Sequence, residues 1–112
     1  MVQINYLDEF KRQLKSLAKK YRSLAADYVS FLDALTSNPF QGVEIKPGIR
    51  KVRMTIASKG KGKSGGARVI TYSVNQKTDE DIVVTLLTIY DKSDISNISD
   101  SYLDWLIAQI EG

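Results

Sequence analysis

The stretch Arg50–Val74, RKVRMTIASKGKGKSGGARVITYSV, decides how the rest of the chain is read. On its N-terminal side Ile49, Val52, Met54 and Ile56 alternate loosely with Arg50, Lys51, Arg53 and Thr55, which predicts a strand over 49–57. Its centre, SKGKGKSGG (58–66), has four glycines in nine residues and is expected to lack regular structure. Beyond it, ARVITYSV (67–74) is rich in β-branched residues and reads as a second strand. A third, DIVVTLLTIYD (81–91), follows the polar turn NQKTDE. Three strands in succession, joined by turns, predict an antiparallel meander.

Upstream of the meander the hydrophobic period is helical. DEFKRQLKSLAKK (8–20) spaces Phe10, Leu14, Leu17 and Ala18 along one face, with Asp8 and Glu9 at its start and lysines at its end, where they suit the helix dipole. A second helix over about 22–37 carries Leu24, Tyr28, Phe31, Leu32 and Leu35, and stops at Ser37-Asn38-Pro39 because proline disfavours helix in the residue before it. The two read as an antiparallel hairpin. Residues 2–6 (VQINY) alternate as a short strand would. In the tail, Ile98, Tyr102, Leu106 and Ile110 share one helical face, with Ser99 or Ser96 as the cap. The expected order is (β)–α–α–β–β–β–α. It defines an α+β fold: a small antiparallel-dominated sheet with two N-terminal helices and a C-terminal helix, the helices on one face. No repeat or linker divides the chain, so residues 1–112 are expected to form a single domain.

Composition narrows the chemistry. With 43% hydrophobic and 26% charged residues the chain is of the folded, globular type. Without cysteine or histidine it has no disulfides, no thiolate zinc site and no imidazole base, which leaves Lys, Arg, Tyr, Asp and Glu for any catalysis. No apolar run is long enough to span a bilayer, and MVQINYLDEFKRQ lacks the apolar centre of a signal peptide, so a cytoplasmic location is expected. The net charge of +3 hides a block structure. Residues 46–68 hold eight cations (Lys46, Arg50, Lys51, Arg53, Lys59, Lys61, Lys63 and Arg68) and no carboxylate. Residues 79–112 hold eight carboxylates against Lys92 alone.

One motif is excluded by its context. Ala57–Ser64, ASKGKGKS, differs from a phosphate-binding P-loop by alanine in place of the first glycine. A P-loop also requires a helix directly after Lys-Ser, whereas a strand follows here. Two readings of the loop remain. As a solvated hairpin tip it would need no function. As a glycine-spaced row of ammonium groups it lets backbone and charge approach a chain of phosphates. Arg50 and Arg68, on the flanking strands, would add forked donors. Twenty-three residues (46–68) without a compensating carboxylate favour the phosphate-binding reading.

The series from Ile49 to Ser73, followed by LLTIYDKSDISNIS, resembles the RelE/ParE superfamily of bacterial toxins. Its string SKGKGK-x-GG-x-R is closest to the HigB-type branch, and the resemblance spans roughly residues 20–110. It implies a RelE-like fold and the toxin of a type II toxin–antitoxin system: an mRNA interferase acting in the decoding site of the 70S ribosome. The message's own 2′-hydroxyl attacks the adjacent phosphate, so the enzyme needs no nucleophile, metal or cofactor of its own. It needs a base, cations for the phosphorane and an acid for the leaving oxygen. The family pattern places Lys51 and Arg53 beside the scissile phosphate and Arg68 at the transition-state charge. It places Tyr90 and Lys92 near the site, and gives Lys59, Lys61 and Lys63, with Arg50, to RNA or ribosome binding.

The chain departs from several relatives in having no histidine or glutamate base in these strands. Ser93 and about Ser99 stand where the best-known relatives have an arginine and a tyrosine. Lys51 is the preferred base; otherwise the rate comes from orienting the 2′-hydroxyl. For Tyr90 a packing role competes with the functional one, and Lys92 also reads as a surface lysine opposite Asp91 and Asp94. Tyr102, Trp105 and Leu106 read as packing on the sheet, and the acidic tail as solvated rather than metal-binding. The resemblance also implies a cognate antitoxin, of the helix-turn-helix HigA sort. Two alternatives share the fold or the charge: a ParE-like inhibitor of DNA gyrase, and a non-catalytic RNA-binding module.

Overall fold

A computed structural model describes residues 1–60, 65–75 and 81–111; the side chains of Asn75 and Glu111 are not described. The elements run β1 (Val2–Tyr6), α1 (Asp8–Lys20), α2 (Leu24–Ser37), β2 (Val43–Lys46), β3 (Ile49–Met54), a 3₁₀ turn (Ala57–Lys59), β4 (Ala67–Asn75), β5 (Ile82–Asp91) and α3 (Asp100–Glu111). The α+β class and the element order agree with the sequence reading. Among the described residues no helix is long and apolar enough to cross a membrane.

Three features differ from expectation. First, the sheet has five strands in the order β1-β5-β4-β3-β2, and β2 (VEIK) was not foreseen. It pairs antiparallel with β3, while β1 runs parallel to β5, which makes the sheet mixed. Second, β3 ends at Met54 rather than 57, and the chain turns through the 3₁₀ segment before the glycines. Third, the helices lie on both faces. Val52, Met54, Val69, Leu86 and Ile89 pack with Phe10, Leu24, Phe31 and Leu35 of α1 and α2. Ile49, Ile70, Leu87 and Tyr90 pack with Leu103 and Leu106 of α3. Adjacent residues of a strand point to opposite sides, so Val69 and Ile70 can be buried together only if both faces are covered.

β5 changes face partway along. The pairing with β4 shifts between Ile70, opposite Thr88, and Thr71, opposite Leu86, so Leu87 is an extra residue on β5. Before this bulge the even-numbered Val84 and Leu86 face α1 and α2; after it the odd-numbered Ile89 does, and Tyr90 faces α3. β1 pairs only with Ile82–Leu86, which leaves the next part of β5 as an open edge. Gln13 of α1 covers it, its Oε1 accepting from the Ile89 amide (3.1 Å) and from Thr88 (2.7 Å). The Gln13 Nε2 donates to the Tyr102 hydroxyl (2.9 Å), which donates to Glu9 (2.9 Å), so α1 and α3 are joined across this edge by polar contacts.

α3 starts where the serines indicated. Ser99 caps it, its Oγ accepting from the Tyr102 amide at 3.1 Å. Leu106 is fully buried, but Trp105 is not packed on the sheet as expected; it is 46% exposed and stacks on Tyr102 at 5.9 Å. Lys46 on β2 also reaches α3, with its ammonium 3.4 Å from Asp104. These burials predict that Leu106→Ala destabilises the protein by about 3 kcal/mol through the cavity it leaves. Trp105→Ala is expected to cost less than about 1 kcal/mol. Urea unfolding of the two variants checks this, and equal losses would mean that α3 is not part of the second core.

Candidate functional site

Register builds the site. Arg53 on β3 stands opposite Arg68 on β4, and Arg68 opposite Tyr90 on β5, a row of three residues across three strands. Lys51, two residues before Arg53, shares its face and stands opposite Ile70, which in turn pairs with Thr88. Arg53 and Arg68 thus place like charges directly opposite each other, an arrangement that by itself disfavours a sheet. Arg68 is 6% exposed, and one of its guanidinium nitrogens donates to the Ala67 carbonyl at 3.2 Å. It sits in the floor of the site, whereas Arg53 is exposed and also borders a hollow of about 340 Å³ against α2. Lys51 is oriented by the loop before α3: its ammonium donates to Asn97 Oδ1 at 3.0 Å.

Tyr90 is 5% exposed, and its hydroxyl has no hydrogen-bond partner among the described residues. Burial raises the phenol above its ordinary pKa and outweighs the opposing pull of Arg68, so Tyr90 keeps its proton and is a donor, not a base. It lines a cavity of about 350 Å³ together with Gln13, Thr88, Asn97, Ser99 and Tyr102. This cavity adjoins the cations at two points, through Tyr90 beside Arg68 and through Asn97 on Lys51.

The structure thus brings Lys51, Arg53, Arg68 and Tyr90 together. Lys92 lies exposed in the turn just after β5, its amide donating to Gly66 at 3.1 Å. Arg50 does not join them. It projects from the other face, where its guanidinium lies over the Phe40 ring (5.1 Å) and 3.5 Å from Glu44. Lys59 is not a free loop ammonium either. Its side chain is 7% exposed, with Nζ 2.7 Å from Asp91 and 2.8 Å from Ser93 Oγ. Lys61 and Lys63 lie outside the described residues.

Asp91 is the anchor that a reading of neighbouring residues missed. Its buried carboxylate accepts from Lys59, from the Tyr21 hydroxyl and from the Ser93 amide (2.9 Å), and Lys20 lies 3.7 Å away. Burial disfavours its charge, but these donors outweigh burial and hold the carboxyl well below the usual carboxylate range. Ser23, at the N-terminal cap of α2, and Asp27 of α2 fix the other side of the loop base, accepting from the amides of Ser58 (2.9 Å) and Ala57 (3.0 Å). On the return side Gly66 passes so close to β3 that a Cβ there would lie 2.2 Å from the Met54 carbonyl oxygen. The lysine-bearing loop is therefore clamped at its base to α2, β3 and the end of β5.

Among the described residues no cluster of His, Cys, Asp or Glu could hold a metal ion. No protein-family model matches the chain. The arrangement is a shallow cationic floor with one proton-bearing phenol beside a mostly apolar cavity, suited to a phosphodiester with a planar substituent.

The Asp91 anchor makes a prediction for stability. Asp91→Asn leaves the Lys59 ammonium buried without its counter-charge and is expected to cost about 3 kcal/mol or more at neutral pH. Because the folded carboxyl is held low, its contribution is complete above the ordinary value of about 3.9 and fades as pH falls through the folded value. Urea unfolding at neutral pH and in strong acid should show the gap between wild type and variant closing in acid. A gap that is absent at neutral pH contradicts the anchor.

Proposed function

We propose that this protein is a ribonuclease toxin of the RelE/ParE type, closest to the HigB branch, which cuts messenger RNA in the decoding site of the ribosome. The observation that carries the reading is the row Arg53, Arg68 and Tyr90 with Lys51 beside it on one face. Such a row suits a phosphate whose charge grows during reaction, since fixed cations stabilise a phosphorane more than the ground-state diester.

In this mechanism the scissile phosphate rests against Lys51, Arg53 and Arg68. In its neutral amine form Lys51, aimed by Asn97, accepts the proton of the substrate's 2′-hydroxyl as the 2′-oxygen attacks phosphorus, and becomes an ammonium beside the phosphorane. The phosphorane charge is shared by Arg53 and Arg68. The 5′-oxygen then leaves, protonated from solvent, and a 2′,3′-cyclic phosphate remains. Lys61, Lys63 and Lys92 supply charge along the RNA backbone. Lys59 is given a different part, fixing the base of the loop that carries its two neighbours. Cytoplasmic action and neutralisation by an antitoxin, of the helix-turn-helix HigA kind, belong to the same proposal.

Inducible expression without an antitoxin tests it, with growth followed and cuts mapped in translated messages. Wild type should arrest growth and cut. Arg68→Ala should lower cutting by about 10² or more, as the loss of an oxyanion donor does. Lys51→Arg keeps the charge but cannot deprotonate, and should lower cutting by a similar factor of about 10². A harmless wild type, or variants that cut as well as the parent, would overturn the reading. Arrest without cuts, but with inhibited supercoiling by gyrase, would point to the ParE-like activity instead.

A further inference from the structure

The two edges of the sheet are built differently. β2, at one end, carries the devices that keep an exposed edge from pairing. It is four residues long, its register with β3 slips between Glu44 and Lys46, both of those residues are charged, and Pro47 follows. β1, at the other end, has none of them. Its five residues, VQINY, hold no charge and no proline, and they pair with Ile82–Leu86 without a break. A regular, uncharged edge strand is a template for another strand. The main core is also open on this side: Val2 and Ile4 are only half-buried against it, and Tyr6 is 51% exposed.

Two hydrogen bonds show which backbone groups face outward. The Met1 carbonyl accepts from the Ile82 amide and the Leu7 amide donates to the Leu86 carbonyl, each at 3.0 Å. The odd-numbered residues of this segment therefore turn their N–H and C=O towards β5, and the even-numbered Val2, Ile4 and Tyr6 turn theirs away from the sheet. Set antiparallel against a second copy about Ile4, the strand is its own complement. Ile4 meets Ile4, and Val2 meets Tyr6 of the second copy. These are the outward-facing residues, so their backbones bond directly across the dyad, while Gln3 falls opposite Asn5 of the second copy in the closer, non-hydrogen-bonded pairs. The side chains match as well. A valine lies beside a tyrosine on the face that Val2, Ile4 and, through its ring contact with Phe10, Tyr6 share with the helices. On the other face an amide lies opposite an amide, the same groups that already bond to each other within one chain (Gln3 Nε2 to Asn5 Oδ1, 3.2 Å), and no like charges meet.

We propose that the protein dimerises in solution through β1, by antiparallel pairing centred on Ile4 that joins the two five-stranded sheets into one continuous sheet. Another protein's strand would gain the same backbone bonds, but the side-chain match is to this sequence itself. The dyad stands perpendicular to the sheet, so the helix-covered faces coincide and the two cationic rows point the same way. No residue of the row lies on β1, so each copy keeps its own site whole. The inference does not depend on the ribonuclease reading. One pair of short strands buries less than a standard interface, so the dimer is weak, with a Kd of roughly 10–100 μM.

Sedimentation velocity over about 10 μM to about 1 mM protein reads this equilibrium, and the mass should rise from monomer to dimer across the range. Combining Gln3→Lys with Asn5→Lys sets lysines opposite each other twice in the dimer and should weaken association roughly tenfold or more. Both side chains are exposed, so the variant keeps its fold, which circular dichroism checks. The register is read by cross-linking, because the chain has no cysteine of its own. An equimolar mixture of Gln3→Cys and Asn5→Cys should oxidise to the mixed disulfide in preference to either like-with-like product, since a non-hydrogen-bonded pair brings its Cα atoms to about 4.5 Å. A protein that stays monomeric at about 1 mM, a dimer that the paired lysines leave unchanged, or like-with-like disulfides in place of the mixed one overturns the inference. So does a monomer whose β1 edge pairs only with a strand of another protein.

Discussion

A single extra residue in β5 holds the site together. A strand presents alternate side chains to opposite faces, so without an irregularity Leu86 and Tyr90 would point the same way. Leu86 is needed in the core under α1 and α2. The bulge at Leu87 reverses the alternation, which puts Thr88 and Tyr90 on the face that carries Lys51, Arg53 and Arg68. Straightening the bulge would separate the phenol from the arginines. It would also turn Thr88 away from the cavity and Ile89 out of the core.

Around that row the charges are sorted by depth rather than by sequence. The cationic block at 46–68 reads as one surface, yet its members have three different surroundings. Lys51 and Arg53 lie on the row's face near solvent, with Arg68 beneath them. Arg50 and Lys46 pair with carboxylates, Glu44 and Asp104. Lys59 is turned inward to Asp91, where an ion pair removed from water acts as a tether for the glycine-lysine loop. Local charge density therefore overstates how many cations face a ligand. Lys51, Arg53 and Arg68 are the members of the block that share the row's face.

Much of the fold was legible because helical and strand periods are strong over α1, α2, β4 and β5, and the serine cap of α3 is a local signal. β2 was not, since VEIK is four residues long and its pairing with β3 is a tertiary event. The placement of helices on both faces was readable in principle from VVTLLTI (83–89), whose adjacent apolar pairs Val83-Val84 and Leu86-Leu87 put apolar side chains on both faces of the strand. For the candidate site, Lys51, Arg53, Arg68 and Tyr90 were named from charge and resemblance, and the sheet register puts them on one face. Arg50 was given to RNA or ribosome binding, and its place on the face opposite Lys51 follows from the alternation of side chains along a strand. Asp91, Gln13 and Asn97 had no sequence signal: their partners lie 32, 75 and 46 residues away and meet only in the folded chain.

The central claim is that the cationic row promotes attack by the substrate on itself. Its most direct test uses ribosomes programmed with a message carrying a single 2′-deoxy nucleotide on the 5′ side of the mapped cut. The substitution leaves codon, base and phosphate unchanged and removes the nucleophile. The account predicts that the deoxy message stays intact at that position while the all-ribose message is cut there, leaving a 2′,3′-cyclic phosphate and a 5′-hydroxyl. Equal cutting of both messages would contradict it.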